Sequence, residues 1–283
     1  PERSSAASDV YKRQTIDSAM QRLSTGSRIN NAKDDAAGQA IATRLTAEIQ
    51  GLEIASRNVA DGQSLVDTAE GALQETHTLL LRMREIGVQA ANGTLSTSDN
   101  QALDAEFQQL VKEIDRIAQN TTWAGAALLN GNAAGAEDST ATFSFQAGVG
   151  NNSGADVFSV TVKNADSTTL DLYVATSATD DTNTIGLLSQ SSAGSAITAV
   201  DAAIATVSSE RANLGAVSNR MASTMANLDQ IRVNLTASKG RIADADFAAE
   251  TANLAKGQIL QQAATAMLAQ ANASKQQVLT LIR

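Results

Sequence analysis

Residues Leu45–Val88 read LTAEIQGLEIASRNVADGQSLVDTAEGALQETHTLLLRMREIGV, and this stretch decides the fold. An apolar residue returns at every seventh position from Leu45 to Leu80, and no proline interrupts the run. A sustained seven-residue repeat predicts a helix with a coiled-coil-like seam. At 1.5 Å per residue such a helix is about 65 Å long.

A second stretch of the chain has the same repeat. Apolar residues recur at every seventh position from Val200 to Leu235. The two stripes predict two long helices that pack antiparallel along one another. The predicted bundle core is Leu45, Leu52, Val59, Val66, Leu73, Leu80, Val200, Val207, Leu214, Met221, Leu228 and Leu235.

Two further helices are predicted from local signals. Ser98 with Gln101 forms a capping-box pattern, which predicts a helix that ends near Asn120. Gly240 predicts a break or bend after the second long helix, and a last helix follows it. The apolar stripe of that last helix is Leu260, Ala264, Met267, Ala271, Val278 and Leu281.

The helical period disappears between the two halves of the bundle. Thr142–Gln146 and Val157–Val162 alternate or are β-branched, as strands are, and the Gly-Asn-rich Gly148–Gly154 between them predicts a hairpin loop. A third short strand is predicted at Leu170–Val174. The fold class is therefore mainly α: an elongated antiparallel helical bundle or coiled coil with a small β-hairpin region.

Composition excludes several classes of function. The 283 residues contain no cysteine, so neither a disulfide framework nor a thiolate metal site is possible. The net charge of −9 argues against a nucleic-acid partner, and no uninterrupted apolar run is long enough to span a membrane. The single histidine, His77, cannot supply an HExxH zinc motif, and nothing supports a Ser-His-Asp triad around it. We expect no enzyme activity, no metal and no cofactor; the acidic pairs Asp34-Asp35 and Asp244/Asp246 are interpreted as helix-entry residues.

Five long motifs follow one another along the chain: LSTGSRINNAKDDAAGQAIATRL (23–45), SRNVADGQSLVDTAEGAL (56–73), LLRMREIGVQAANGT (80–94), ERANLGAVSNRM (210–221) and RIADADFAAETANLAKGQILQQAATAMLAQAN (241–272). These motifs, in this order, closely resemble bacterial flagellin, the subunit of the flagellar filament. The resemblance covers about Thr15–Gly131 and Ala196–Arg283.

The resemblance implies a structural role. A flagellin leaves the cell through the flagellar export apparatus, with an export chaperone as a partner, and polymerises outside the cell with other flagellin subunits. Filament cap and hook-junction proteins are further implied partners. The terminal segments order on assembly, so the stripe from Leu260 to Leu281 is interpreted as an assembly surface. The implied location is secreted, in the extracellular flagellar filament.

The resemblance also implies a surface that an animal Toll-like innate-immune receptor recognises. The flagellin stretch of RxREL type and a glutamate on the following helix form that surface. The matching residues of this chain are Arg82, Glu85, Ile86, Gln89 and Glu106. Without the resemblance, the same residues read as a solvated helix face with supporting charge pairs.

Two alternatives stay open at the level of sequence. A hook–filament junction protein shares flagellin-like ends, although RMREIGVQAANGT and QILQQAATAMLAQAN favour flagellin itself. A helical surface adhesin is the other. An enzyme on the same scaffold would need a cluster of titratable groups in the middle segment, 131–195, and the acidic residues there are scattered.

The first residues differ in character from the rest. Residues 1–14 read PERSSAASDVYKRQ, and DVYKRQ reads as the translation of a transposon-end sequencing adapter. We expect a non-native leader that replaces a missing N-terminal helical stretch, with a natural disordered leader as the alternative. Its apolar residues, Val10 and Tyr11, have no helical spacing. The predicted domains are 1–14, the leader; 15–35 with 243–283, the terminal coiled-coil assembly region; 36–130 with 196–242, the helical core; and 131–195, the hairpin and short variable outer region.

Overall fold

The computed structural model describes residues 2–130, 140–150, 152, 154, 156–172 and 185–281, and of residues 2–12, 272 and 275–281 it describes the backbone alone. The described part contains five helices: α1 (Glu2–Thr25), α2 (Ala36–Ala90), α3 (Thr97–Asn120), α4 (Gln190–Ala243) and α5 (Phe247–Leu281). Its strands are β1 (Thr122–Trp123), β2 (Ala126–Ala127), β3 (Thr140–Gln146) and β4 (Val157–Lys163). The predicted class, mainly α with a β-hairpin region, is confirmed.

The chain divides into two compact units. The terminal unit comprises Pro1–Gln50 and Ile231–Arg283, and the central unit comprises Gly51–Gln230. The long helices α2 and α4 contribute to both units. The domain limits given by the sequence differ from this division and stay a prediction.

In the central unit, α2 and α4 run antiparallel. Gln63 Nε2 donates to Ser218 Oγ at 2.6 Å, Glu70 pairs with Arg211 at 2.7 Å, and Arg84 pairs with Asp201 at 2.6 Å. Partner numbers on α4 fall as those on α2 rise, which defines the antiparallel register. A Cβ added at Gly62 of α2 would lie 2.9 Å from Cε of Met221, a stripe residue of α4. All twelve predicted core residues are buried except Leu45 and Leu235, which are half-buried and belong to the terminal unit.

The N-cap of helix α3 lies two residues before the predicted one. Its N-cap is Ser96, whose Oγ accepts from Asp99 N at 3.2 Å, while Asp99 Oδ2 accepts from Ser96 N at 3.0 Å. The capping box is therefore Ser96 with Asp99, and the predicted pair of Ser98 and Gln101 is wrong. Asp99 makes the return hydrogen bond that a glutamate or glutamine usually makes in a capping box, so the earlier serine defines the helix start.

The hairpin of β3 and β4 is antiparallel, with Thr140 opposite Lys163 and Gln146 opposite Val157. Phe158, Val160 and Val162 are buried, while Ser159 and Thr161 between them face solvent. The hairpin rests on α2: Asn58 Nδ2 donates to Gln146 O at 3.0 Å.

The predicted third strand is wrong for the residues that the structure describes. Leu170–Leu172 form a turn, closed by Leu172 N donating to Ser167 O at 2.8 Å. Asp171 has φ of 56°, in the left-handed region that aspartate tolerates better than branched residues do. Leu170 and Leu172 are nevertheless buried, which explains their apolar character. Residues 173–174 lie outside the described residues.

A short sheet was not predicted. Strands β1 and β2 pair across Ala124 and Gly125, which have φ of 48° and 84°. Positive φ at both central positions is typical of the two-residue hairpin turn.

In the terminal unit, α1 and α5 pair antiparallel. Arg22 Nη1 lies 3.2 Å from Glu250 Oε1, and a Cβ added at Gly257 would lie 2.8 Å from Ile16 Cγ1. Arg28 N donates to Ala243 O at 2.6 Å and Ala245 N donates to Gly26 O at 3.0 Å, which joins the two connecting segments.

One expectation about this unit needs correction. Helix α4 continues past Gly240 and ends at Ala243, since one glycine costs a helix only about 1 kcal/mol. The backbone of the 1–14 leader is helical as far as the structure describes it, since α1 begins at Glu2 and continues through Gln14 without a break. The segment 2–14 lacks internal proline and glycine, so an adjacent helix extends through it one residue at a time.

Candidate functional site

Two surfaces hold the predicted site residues, one in each unit. The first is the outer face of α5 in the terminal unit. Leu260 is 45% exposed and Met267 is 70% exposed, Ala271 is exposed and Ala264 is half-buried. The side chains of Val278 and Leu281 lie outside the described residues.

This α5 face extends beyond the predicted stripe. Ile259 is 65% exposed, and Leu268 and Phe247 are also exposed. These three residues were not predicted, because they lie off the one apolar stripe on which the prediction for the last helix rested. The available signal was that large apolar residues lie on more than one face of this helix. A helix that is apolar on more than one face has more than one surface to bury.

Asp246 positions the start of α5. Its Oδ1 accepts from Ala248 N at 2.9 Å and Ala249 N at 3.2 Å, so it caps the helix. Asp35 does the same for α2, accepting from Gly38 N at 2.8 Å. Asp34 Oδ2 accepts from Asn31 N and Asn30 N, and these backbone hydrogen bonds lower the pKa of the Asp34 carboxyl. In the structure, these aspartates thus accept hydrogen bonds from backbone N–H groups.

The second surface centres on Arg82 in the central unit. The Arg82 guanidinium donates from Nε and Nη2 to Glu106 Oε1 at 3.1 Å and 2.7 Å, and from Nη1 to Glu85 Oε2 at 3.1 Å. Arg82 thus links α2 to α3. Hydrogen bonding to Glu106 and then to Glu85 raises the pKa of Arg82. All three side chains are exposed, as is Gln89 on the same helix.

Ile86 does not belong to this surface. It is 1% exposed and lies in the core together with Met83 and Ala90. These residues repeat at intervals of three and four, the spacing of one helix face, and that face points inward. The prediction that Ile86 faces a receptor is therefore wrong for the free chain.

A depression lined by both apolar and charged side chains borders the Arg82 cluster on α2. Its volume is about 440 Å³, and Leu81, Arg84, Glu85 and Val88 line it. Leu81 is 45% exposed and Val88 is 51% exposed. Arg84 is held by Asp201 of α4 at 2.6 Å, which raises the pKa of Arg84. Leu81 and Val88 were not among the residues predicted for this surface, although both are apolar residues off the seven-residue stripe.

Within the described residues, no three His, Asp or Glu side chains come together closely enough to hold a metal ion. None of the helices, as far as the structure describes them, combines the length and apolar character needed to cross a membrane.

Two family models match the chain. The bacterial flagellin N-terminal helical region matches residues 6–134, and the bacterial flagellin C-terminal helical region matches residues 197–282. The first match begins inside the 1–14 segment that the sequence analysis set apart as a leader.

Whole proteins are similar over almost their full length. The flagellin of Halalkalibacterium halodurans is 45% identical over 268 residues, which cover 94% of this chain and 91% of the relative. The flagellin of Bacillus subtilis is 42% identical over 286 residues, with 93% and 91% covered. A putative flagellar hook-associated protein from Vibrio parahaemolyticus has a TM-score of 0.58 over 75% of this chain and 100% of its own; at 14% identity it shows a shared fold alone.

Proposed function

The chain belongs to the bacterial flagellin family, and from this membership we propose that it polymerises with other flagellin subunits through the exposed apolar face of α5. It is a structural subunit of the bacterial flagellar filament. The family assignment favours this function over a hook–filament junction protein or a helical adhesin, and the family is structural rather than enzymatic.

One observation carries the assembly proposal. Large apolar side chains on α5, Ile259, Leu260 and Met267, are in contact with solvent in the single chain. Exposed apolar surface of this kind marks an interaction site, because its burial releases about 25 cal/mol per Å². Contacts that repeat head to tail between identical subunits generate an open helical polymer. The α5 face is therefore a surface that neighbouring subunits cover.

The test is seeded filament growth with labelled chain. Met267→Asp places a charge on the α5 face, and we expect it to prevent uptake into growing filaments while leaving the helix content of the free chain unchanged. Met267→Leu conserves the apolar area and is the matched control, for which we expect growth like that of the parent. Growth of the Met267→Asp chain at the parent's rate would show that neighbours do not cover this face.

A second function is favoured by the Arg82 cluster. We propose that Arg82, Glu85, Gln89 and Glu106 form a surface for an animal Toll-like receptor. The support is the match to the flagellin motif together with the exposure of these side chains. The hydrogen bonds from Arg82 to Glu106 hold the two helices' charged groups in one arrangement before any partner arrives, which reduces the ordering cost of binding.

Receptor activation in reporter cells tests this surface. Arg82→Ala and Glu106→Ala are expected to lower activation without changing helix content. Arg116→Ala is the control, because Arg116 makes a comparable exposed ion pair with Glu113 on α3, outside the cluster. Unchanged activation by both cluster variants, or an equal loss with Arg116→Ala, would contradict the proposal.

The remaining partners follow from family membership. We propose an export chaperone, the flagellar export apparatus, the filament cap and the hook-junction proteins as partners, and the extracellular filament as the location. Capture of the intact chain by a flagellin export chaperone from the same bacterium would test the first of these.

A further inference from the structure

The turn between α2 and α3 contains a group that the assembly and receptor proposals do not use. Residues 92–93 are Asn-Gly, and Asn92, Gly93 and Thr94 are all exposed. We infer that Asn92 is a site of spontaneous deamidation in the folded subunit, which converts it to aspartate and isoaspartate.

The chemistry requires the next backbone nitrogen to reach the asparagine side chain. Hydroxide removes the proton of Gly93 N, and this nitrogen attacks Asn92 Cγ to form a C–N bond. The Cγ–Nδ2 bond breaks, Nδ2 takes a proton from water and leaves as ammonia, and a succinimide ring remains. Water then opens the ring at Cγ to give aspartate, or at the backbone carbonyl carbon to give isoaspartate. No oxidant or reductant takes part.

Glycine at position 93 removes the main steric obstacle, since it has no Cβ to crowd the attacking nitrogen. The turn also holds in place the Asn92 side chain, whose Cγ is the atom attacked. Asn92 Oδ1 accepts from Thr94 N at 3.3 Å, so a backbone donor already lies where negative charge develops on this oxygen during attack. Two further hydrogen bonds, from Asn92 N to Gln89 O and from Leu95 N to Asn92 O, fix the backbone on either side.

The leaving and attacking groups are accessible. Neither Asn92 Nδ2 nor Gly93 N has a hydrogen-bond partner in the described part of the chain, so solvent reaches both. Asn100 offers the opposite case a short distance along the sequence. It is buried, lies inside α3 and precedes Gln101, whose side chain crowds the backbone nitrogen.

The test uses the intact chain held at mildly alkaline pH and then digested with trypsin. Cleavage after Arg84 and Lys112 gives one peptide, 85–112, that contains both Asn92 and Asn100. We expect progressive exchange of the Asn92 amide for a hydroxyl, seen by mass, and isoaspartate at the same position, seen by enzymatic methylation. Asn100 should keep its amide.

Gly93→Ala is the matched variant. An added Cβ would meet only the Gln190 side chain at 3.9 Å, an ordinary contact, so the variant is expected to fold like the parent and to lose most of the product. A parallel sample unfolded in guanidinium chloride gives the rate of the free chain. The inference is overturned if Asn92 keeps its amide in the folded chain while the unfolded sample converts, or if Gly93→Ala converts as fast as the parent.

Discussion

The central and terminal units use the same seven-residue pattern with different results. In the central unit, Leu73, Leu80 and Leu214 are fully buried. In the terminal unit, Leu45 and Leu235 continue the same stripes but are only half-buried. The α5 helix of that unit leaves Met267 and Ile259 in solvent. The pattern thus specifies which residues are suited to burial, and the number of neighbouring side chains decides whether each residue is buried in the single chain.

This difference separates stability from assembly. A closed core contributes to the folding of the single chain, whereas exposed apolar residues contribute only when a second copy covers them. Substitutions in the two units should therefore affect different measured properties. Those in the central unit should change unfolding, and those on α5 should change polymer growth.

The largest expected effect is in the central core. Leu73→Ala removes a fully buried side chain and should lower the free energy of unfolding by roughly 2–5 kcal/mol, because the site cannot fully collapse. Leu260→Ala is the same substitution on the α5 face and should change the free energy of unfolding by less than about 0.5 kcal/mol. Urea unfolding of the free chain measures both values. Equal losses would remove the distinction between the two units.

Helix pairing in the terminal unit is the next target. Gly257 is buried, and a Cβ there would lie 2.8 Å from Ile16 Cγ1. Overpacking costs about 1–3 kcal/mol, against a gain of about 1 kcal/mol for alanine over glycine in a helix. Gly257→Ala should therefore cost up to about 2 kcal/mol. Hydrogen exchange of the α1 and α5 backbone amides measures this, because each unit can open separately.

Gly215→Ala in α4 is the control for that change. No atom lies within 4 Å of a Cβ added at Gly215, so the substitution should stabilise its helix by about 0.5–1 kcal/mol. A stabilising Gly257→Ala would mean that α1 and α5 are not in close contact in solution. Combining it with Ile16→Ala should relieve the clash and restore the ordinary gain of alanine.

The sequence predicted the core better than the surface, for a physical reason. Seven-residue spacing is a property of one helix, so the buried stripe from Leu52 to Leu80 could be predicted without knowing its partner. The pairing of Arg82 with Glu85 is also local, three residues apart. Its stronger pairing with Glu106 requires α3 to dock beside α2, which no local pattern encodes. Ile86 was misplaced because an apolar residue within a charged motif fits either helix face.

Local competition explains two other errors. Ser96 and Ser98 both precede a helical run, and only the backbone decides which one caps it. Leu170 and Leu172 alternate with a polar residue as in a strand, but Asp171 takes a left-handed conformation and turns the chain. Periodicity over three residues is too short to distinguish these outcomes.

The cap of α3 gives a smaller and sharper test within the central unit. Ser96→Ala removes the side chain that accepts from Asp99 N and should cost about 1 kcal/mol, within a range of roughly 0.5–2 kcal/mol. Ser98→Ala, two residues later, should change the free energy of unfolding by less than about 0.5 kcal/mol. Thermal unfolding followed by circular dichroism compares the two. The reverse order of effects would restore Ser98 as the cap.

The smallest expected effect compares one carboxyl in each unit. Hydrogen bonds from the Ser96 side chain and then from its backbone lower the pKa of Asp99, and hydrogen bonds from the backbone of Asn31 and Asn30 lower that of Asp34. A lowered pKa in the folded state means that the contribution to stability is present above the unfolded value, about 3.9 for aspartate. It is lost as the pH falls through the folded pKa.

Asp99→Asn and Asp34→Asn should each make unfolding less dependent on pH below about pH 5, because one fewer proton is taken up on unfolding. The effects should appear in different places. Asp99→Asn should flatten the acid dependence of hydrogen exchange at the start of α3, and Asp34→Asn that of the segment leading into α2. Both groups are exposed, so added salt and solvent weaken the charge component while the hydrogen bonds persist. If either substitution also flattened the acid dependence of hydrogen exchange in the unit that does not contain it, the two units would unfold together. Their stabilities would then not be separate at acid pH.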